Sequence, residues 1–160
     1  MTVRERIEAH LKEVGAAYQL LDHAHAKTSE TVAAARGTPL NWGGKSLVFK
    51  LGKKDGFAVF AVNAHRAINS KAIRRHLGVS RLRFARPEEL MELTGLTPGC
   101  VPPFGHPIFD LPLYVDSYLP TQEDIAFSIG SHTTSVTMKT AAYLAAAKPV
   151  AIFDYSEERP

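Results

Sequence analysis

The strongest structural signal in this chain lies at residues 46–62, SLVFKL-GKKDG-FAVFAV. Two runs of β-branched and aromatic residues, Ser46–Leu51 and Phe57–Val62, flank a short basic segment bounded by Gly52 and Gly56. Runs of this composition favour strands, and a short glycine-bounded connection is typical of a hairpin. The pattern therefore predicts an antiparallel pair of strands near the middle of the chain.

Helical and strand patterns follow one another on both sides of this hairpin. Helices are expected at residues 3–14 (opened by a capping box of Thr2 and Glu5), 29–36, 71–77 (capped by Ser70), from Pro87 to before Gly95, and 140–147. Further strands are expected at 18–21, 81–84, 113–115, 125–129, 135–138 and 150–153. Because hairpins interrupt the alternation, we expect a mixed α/β fold with a mixed, mostly antiparallel sheet covered by helices.

Length and composition narrow the class of protein. A chain of 160 residues with 45% hydrophobic and 22% charged residues is ordinary for a globular protein, which excludes disorder and fibrous repeats. It buries enough surface for one core, so residues 1–160 are expected to form a single domain. No apolar run reaches the roughly 20 residues that a bilayer requires, and the N-terminus resembles no signal peptide. With Cys100 as the single cysteine, we expect a cytoplasmic protein without a disulfide or a membrane partner.

The net charge of +3 hides an uneven distribution. Residues 45–86 hold eleven Lys and Arg but only one acid, whereas residues 87–138 hold seven acids and no Lys or Arg. A local excess of positive charge attracts a phosphate backbone, so the basic segment suggests a nucleic-acid partner. The alternative is that both runs are solvated faces of different elements.

Gly44-Lys45-Ser46 superficially suggests a nucleotide-binding loop. That motif requires a glycine where this chain has Pro39, and a helix where Leu47-Val48-Phe49 indicates a strand. We therefore exclude a nucleoside triphosphatase. Lys45 still stands apart from the other basic residues because it follows two glycines at the start of a strand, where backbone can approach a ligand. The alternative is an exposed lysine at a strand end.

Residues 99–105, GCVPPFG, form the most unusual segment of a loop rich in proline and glycine at 95–107. A rigid loop with free amides can hold a carbonyl or carboxyl oxygen, but it can equally be a structural crossover.

A second motif is Gly130-Ser131-His132. Adjacent residues point to opposite faces of an extended chain, so the pattern does not indicate Ser131 and His132 as a nucleophile and its base.

The histidines and the cysteine suggest two other chemistries. His23 and His25 could bind a metal with His106 or His132, but no Cys or Glu-x-x-His pattern supports this, and no metal is expected. Cys100 could converge with a histidine as a nucleophile, although a lone cysteine is more often an inert core residue.

Several segments together resemble the YbaK/ProX-type aminoacyl-tRNA editing domain. They are Ser29–Ala35 with Gly37, Lys45–Phe49, Gly99–Gly105, Tyr114–Leu119 and Ile129–Thr133, and their order and spacing agree over about residues 5–153. The family includes free-standing proteins and a domain inserted in bacterial-type prolyl-tRNA synthetases. Its members hydrolyse the ester between a wrongly attached amino acid and the 3′ end of tRNA.

The resemblance implies a set of site residues and no cofactor. Lys45 would hold the 3′ end of mischarged tRNA, and it would form the catalytic set together with Gly130 and Ser131. The amino-acid pocket would be lined by Thr28, Gly99, Cys100, Val101, Pro102, Pro103, Phe104, Gly105, Ser128, Gly130 and His132. The tRNA would be contacted by Arg66, Lys71, Arg74 and Arg75, and an aminoacyl-tRNA synthetase would be a further partner. Two positions depart from the family pattern, since Ser135 stands where some relatives carry Asp, and Cys100 where several have a small residue.

The chemistry needs few residues because the substrate is already an activated ester. A positioned water, amide donors for the oxyanion and a cation near the phosphate would suffice. Two alternatives remain. One is a non-catalytic module of the same fold that binds tRNA or a synthetase, and the other is a small-molecule esterase that uses Cys100.

Overall fold

A computed structural model describes residues 1–54 and 56–160 of the chain. The helices are α1 (Val3–Glu13), α2 (Ser29–Arg36), α3 (Ser70–Leu77), α4 (Pro87–Thr94) and α5 (Thr140–Ala147). The strands are β1 (Gln19–Asp22), β2 (Gly44–Leu51), β3 (Phe57–Asn63), β4 (Arg66–Ile68), β5 (Leu82–Phe84), β6 (Leu113–Asp116), β7 (Asp124–Ser128), β8 (Thr134–Lys139), β9 (Ala151–Phe153) and β10 (Ser156–Glu158). Among these residues no helix has both the length and the apolar character to cross a bilayer.

The predicted hairpin forms the centre of a five-stranded sheet with the order β5-β2-β3-β6-β9. Strands β2 and β3 pair antiparallel, with Leu47 opposite Phe60, whereas β6 runs parallel to β3 and β9 runs parallel to β6. The hairpin is confirmed, although Asp55 in its turn lies outside the described residues. Both pairing modes occur in one sheet, which confirms the mixed α/β fold.

The remaining strands form two smaller sheets. Strands β1, β8 and β7 make an antiparallel sheet in that order, and β10 pairs antiparallel with β4. The pattern did not predict β4 and β10, because neither segment carries a run of β-branched and aromatic residues. The single sheet expected from the sequence is thus divided into three.

Alternating side chains of β3 bury both faces of the central sheet. Val59 and Ala61 pack on one face with α1, α5, β7, β8 and the loop that follows α4. Phe60 and Val62 pack on the opposite face against Ile73 of α3 and Tyr155. Strands β2 and β3 are therefore enclosed on both sides, as near-continuous apolar runs indicate.

The helix termini follow the predicted capping chemistry with one correction. The Thr2–Glu5 capping box opens α1, and Gly37, Gly78 and Gly95 end α2, α3 and α4 in the left-handed conformation. Ser70 does not cap α3. The side chain of Asn69 accepts the Ala72 amide at 3.1 Å, and Ser70 is the first helical residue. An Asn with an extended backbone competes well for this position.

Candidate active site

A cavity of about 420 Å³ opens beside Lys45. Its walls come from α2 and the two residues before it, from the start of β2, and from four separate residues, Ala64, Gly99, Ser128 and Arg159. Thr28 caps α2 by accepting the Thr31 amide at 3.1 Å, which fixes this wall. The cavity therefore brings together Lys45, Thr28, Gly99 and Ser128 from the set predicted by the sequence.

The close approach of β7 to β2 explains why Ser128 reaches Lys45. Gly43 forms a parallel bridge with Ala126, and a Cβ on Gly44 would lie 3.0 Å from Cδ1 of Ile125. Only glycine at position 44 leaves room for the Ile125 side chain without movement. The two glycines before Lys45 thus let a second sheet pack against the strand end that carries the lysine.

The cavity is electropositive. Lys27, Arg36, Lys45 and Arg159 line it against one acid, Glu30, which already pairs with Arg159 at 3.2 Å. Burial, and then the nearby Arg159 guanidinium, lowers the pKa of Lys45. Within residues 1–54 and 56–160, Lys45 has no carboxylate at ion-pair distance. Such a cavity attracts an anion or an electron-rich oxygen.

Arg36 is a cavity residue that the sequence did not single out. Its guanidinium is largely buried and bonds to Ser128, Ser135 and the Ala126 carbonyl. From sequence, a cation in the last turn of a helix before Gly37 is the ordinary partner of the helix dipole. Its tertiary contacts lie about ninety residues away, so no local pattern could reveal them.

Most of the loop at 99–105 is core rather than cavity wall. Gly99 lines the cavity, whereas Val101 and Phe104 belong to the hydrophobic core, and Cys100, Pro102, Pro103 and Gly105 are also buried. Ser46 donates to the Val101 carbonyl and Tyr143 to the Pro103 carbonyl, which fixes the loop under the central sheet. The apolar side chains that suggested pocket walls pack against the sheet instead.

Cys100 is poorly placed for catalysis. The residue is 4% exposed, and its Sγ lies 3.5 Å from Oγ1 of Thr97. A nucleophilic thiol needs access and a base or cation that stabilises the thiolate. This environment is that of an inert core cysteine and disfavours the Cys100 esterase alternative.

Gly130 and Ser131 do not lie in the Lys45 cavity. They line another cavity, of about 600 Å³, together with the start of α1 and residues 94–96. The Gly130 amide donates to the Cys100 carbonyl at 3.0 Å, and Ser131 bonds to Thr133. This placement does not favour a direct role for either residue beside Lys45.

The ring of His132 lies against Gly99, which lines the Lys45 cavity. A Cβ on Gly99 would come within 2.8 Å of its Cε1, and its ring centroid is 4.8 Å from that of His25. Burial, then His25 and Lys27, lowers the pKa of His132, which favours the neutral ring. His132 therefore covers Gly99 and shapes this wall.

The four histidines considered as metal ligands do not come together, although two of them are in contact. His23 bonds to Ser135, His25 contacts His132, and His106 faces Asp110. In the part of the chain that the structure describes, no group of three His, Cys, Asp or Glu side chains could hold a metal ion.

Basic side chains form a second feature on another part of the surface. A groove of about 720 Å³ is lined by Lys50, Lys53, Arg74, Arg81 and Arg83, and we call these five residues the basic groove. Lys71 and Arg75 continue it along α3. Lys50 lies five residues beyond Lys45 on β2, a separation of about 17 Å. Arg66, in contrast, is held by Ser156 at 2.8 Å and lies 4.2 Å above the Tyr118 ring.

Most of the chain matches a known protein family. A family model described as the aminoacyl-tRNA editing domain matches residues 23–146. The Multifunctional Ser/Thr-tRNA deacylase ProXp-y of Escherichia coli is 35% identical over 154 residues, covering 91% of this chain and 88% of the relative. The proline–tRNA ligase of Thermosipho africanus is 35% identical over 79 residues, 49% of this chain and 14% of the ligase.

A solved structure agrees with these matches. It is described as a candidate trans-editing enzyme for prolyl-tRNA synthetase, and it is similar with a TM-score of 0.82, 27% identity and 98% coverage of both chains. The fold and these matches thus define an enzyme of the aminoacyl-tRNA deacylase class. The chain belongs to the aminoacyl-tRNA editing domain family, which confirms the resemblance found in its motifs.

Proposed function

We propose that the chain, acting in trans in the cytoplasm as a single editing domain over residues 1–160, removes the wrong amino acid from a mischarged tRNA. The observation that carries this proposal is the half-buried Lys45, charged and without a carboxylate partner among the described residues, in a cationic cavity built from the family's own segments. An ammonium group in this setting fits the phosphate of the 3′-terminal nucleotide, and it holds the ester against the cavity wall.

The reaction is hydrolysis of an ester. A water oxygen attacks the carbonyl carbon, the bond from that carbon to the ribose oxygen breaks, and the ribose oxygen takes up a proton. The free amino acid and the tRNA 3′ end are released. The vicinal ribose hydroxyl orients the water, which removes the need for a protein nucleophile. Gly130 and Ser131 act indirectly in this scheme, by shaping the turn that places His132 over Gly99.

The amino acid occupies the part of the cavity near Thr28, Gly99 and Ser128. The name of the Escherichia coli relative, a Ser/Thr-tRNA deacylase, supports seryl- and threonyl-tRNA as substrates. A small cavity excludes larger side chains by size, which is the simplest form of discrimination.

The tRNA body contacts the basic groove with Lys71, Arg74 and Arg75. Arg66 contributes less to this surface, because its guanidinium is already bound by Ser156 and Tyr118. A synthetase that releases the mischarged tRNA is a second proposed partner, and the partial match to proline–tRNA ligases supports it.

The test is a panel of mischarged tRNAs incubated with the wild-type protein and with Lys45→Ala, following release of each amino acid. We expect wild type to release serine or threonine, and Lys45→Ala to lose at least about 100-fold in kcat/KM, because one charge-assisted contact is removed. Lys45→Arg retains the charge and is the matched control, and circular dichroism checks the fold. Wild-type rates in Lys45→Ala would exclude this site.

A non-catalytic tRNA-binding module is the second candidate. It is favoured by one observation, the distance of Gly130 and Ser131 from the Lys45 cavity. The same panel separates the two, because a module would bind tRNA tightly and release no amino acid.

A further inference from the structure

The guanidinium of Arg36 is buried without an acidic partner. Its Nε donates to Ser135 Oγ at 2.8 Å, and its two terminal nitrogens donate to the Ala126 carbonyl at 3.3 Å and Ser128 Oγ at 3.4 Å. All three acceptors are neutral, and across residues 1–54 and 56–160 no carboxylate forms an ion pair with it. Burial lowers the pKa of Arg36 to about 10, so the group remains charged at neutral pH.

A buried charge without a counter-charge is costly, so its role is not stability. The free-energy cost of removing a guanidinium from water is offset only by hydrogen bonds of excellent geometry. Two of the three hydrogen bonds of Arg36 are long. Five N–H groups are available on a guanidinium and three are used. The two that remain, one on each terminal nitrogen, are available to a ligand in the cavity that Arg36 lines.

Ser135 and His23 fix the orientation of this guanidinium. His23 Nδ1 lies 2.9 Å from the Ala24 carbonyl, which can only accept, so the proton is assigned to Nδ1. Nε2 then accepts the Ser135 hydroxyl at 2.8 Å, which leaves the Ser135 lone pairs for Arg36 Nε. Ser135 is fully buried. The Nε of Arg36 is thus anchored in the protein, and each terminal nitrogen keeps one N–H that can meet a ligand.

The position of Arg36 in the cavity indicates which part of the substrate it meets. Lys27 and Arg159 are exposed at the rim and suit the phosphate of an incoming nucleotide, whereas Arg36 and Ser128 are recessed behind them. The aminoacyl group is the end of the substrate and reaches deepest. An apolar side chain at this depth would displace water from the free Arg36 N–H groups without replacing its hydrogen bonds. A hydroxyl oxygen would accept a hydrogen bond from them.

We propose that Arg36 is a specificity-determining residue that donates to the side-chain hydroxyl oxygen of the bound amino acid. The inference rests on the proposed deacylation and adds the group that reads the substrate. Ser135 and His23 are positioning residues, since they act through Arg36. The site then favours seryl or threonyl over alanyl esters by chemistry rather than by size.

The test compares seryl and alanyl esters of one tRNA body in single-turnover deacylation. We expect wild type to prefer the seryl ester, and Arg36→Met to lower kcat/KM for the seryl ester about 30- to 100-fold while changing the alanyl ester less than about 3-fold. Lys27→Met is the matched control at the rim and should lower both equally. Equal losses for both esters in Arg36→Met, or no loss for either, would overturn the proposal.

A second measurement uses wild-type protein alone, in case Arg36→Met does not fold. Non-hydrolysable amide analogues, seryl- and alanyl-aminoadenosine, are compared by calorimetry, and we expect at least tenfold tighter binding of the seryl analogue. Equal binding would overturn the role of Arg36. Wild type that hydrolyses both esters equally would also overturn it but leave the proposed function standing, whereas hydrolysis of neither would refute the proposed function.

Discussion

The surroundings of Lys45 disfavour its charge. Burial and the Arg159 guanidinium both lower its pKa, so the ammonium group loses its proton at a lower pH than a free lysine does. Arg159 is in turn held by Glu30 and Ser29. Arg159 therefore influences the highest pH at which Lys45 stays protonated and can bind an anion.

Replacing Arg159 by Gln should raise the pKa of Lys45, because a repulsive positive charge is removed. Binding of a phosphate-bearing analogue that depends on the lysine charge would then persist to higher pH in the variant than in wild type. The measurement is the affinity of seryl-aminoadenosine 5′-monophosphate, a non-hydrolysable amide, from pH 7 upward. A midpoint that stays in place or moves to lower pH would contradict this linkage.

At the scale of single residues, a role that depends on sequence neighbours could be predicted, whereas a role that depends on contacts far apart in the chain could not. Lys45 could be identified because its two glycines and its strand are neighbours in sequence. Arg36 could not, because Ser135 reaches it only after β8 pairs with β1. Val101 and Phe104 were expected in a pocket because apolar side chains that line a cavity and those that fill a core look alike in sequence.

At the scale of elements, the turn at Gly99 connects the core loop to the cavity. Gly99 has φ +87°, and a Cβ there would meet the His132 ring at 2.8 Å. Gly37, which ends α2 at φ +71°, has nothing within 4 Å of its Cβ position. Replacing either glycine by alanine therefore carries a similar backbone cost. Only at Gly99 would the added methyl group also displace a neighbouring side chain, that of His132.

Gly99→Ala and Gly37→Ala should each cost about 1–2 kcal/mol of stability, because both place a Cβ on a left-handed residue. Only Gly99→Ala should move His132, and we expect it to lower kcat/KM for deacylation at least about 10-fold beyond Gly37→Ala. Urea denaturation gives the first quantity and single-turnover kinetics the second. Equal activities in the two variants would show that the His132 wall is irrelevant to the substrate.

The elements themselves followed from local pattern to within about two residues, and α2 and α5 to the residue. The length and composition of a segment determine whether its sequence pattern predicts a strand. Eight residues of β2 show alternation and composition together, whereas β4 and β10 owe their pairing to tertiary contacts. The division into three sheets depends on strand partners that lie far apart in the chain, such as β1 and β8.

At the scale of the molecule, a buried carboxylate connects β6 to the C-terminal strand. Asp116 is fully buried and accepts from the amides of Tyr155 at 2.7 Å and Tyr118 at 3.2 Å, and from the Ser156 hydroxyl. Asp116→Ala leaves these donors without a partner, so we expect a loss of about 3–5 kcal/mol in the free energy of unfolding. The exposed Asp154 is the control, and its alanine variant should stay within about 0.5 kcal/mol. A loss below about 1 kcal/mol for Asp116→Ala would disprove the anchoring role.

The proposed function divides recognition of the tRNA between the basic groove and the Lys45 cavity. Arg74→Glu combined with Arg75→Glu should weaken tRNA binding and flatten its dependence on salt, by about 1.5 in the slope of log affinity against log salt if two phosphate contacts are lost. The same variant should bind seryl-aminoadenosine as wild type does, because Lys50 of the groove is about 17 Å from Lys45 along β2.

The control is the double variant Lys12→Glu with Lys148→Glu, which changes the net charge by the same amount. Its two positions lie on α1 and at the end of α5, which pack on the other face of the central sheet, so this variant should keep the wild-type slope. An unchanged slope in the Arg74 and Arg75 variant would make this segment a solvated face, whereas equal slopes in both variants would show that overall charge, rather than the groove, draws the tRNA to the protein.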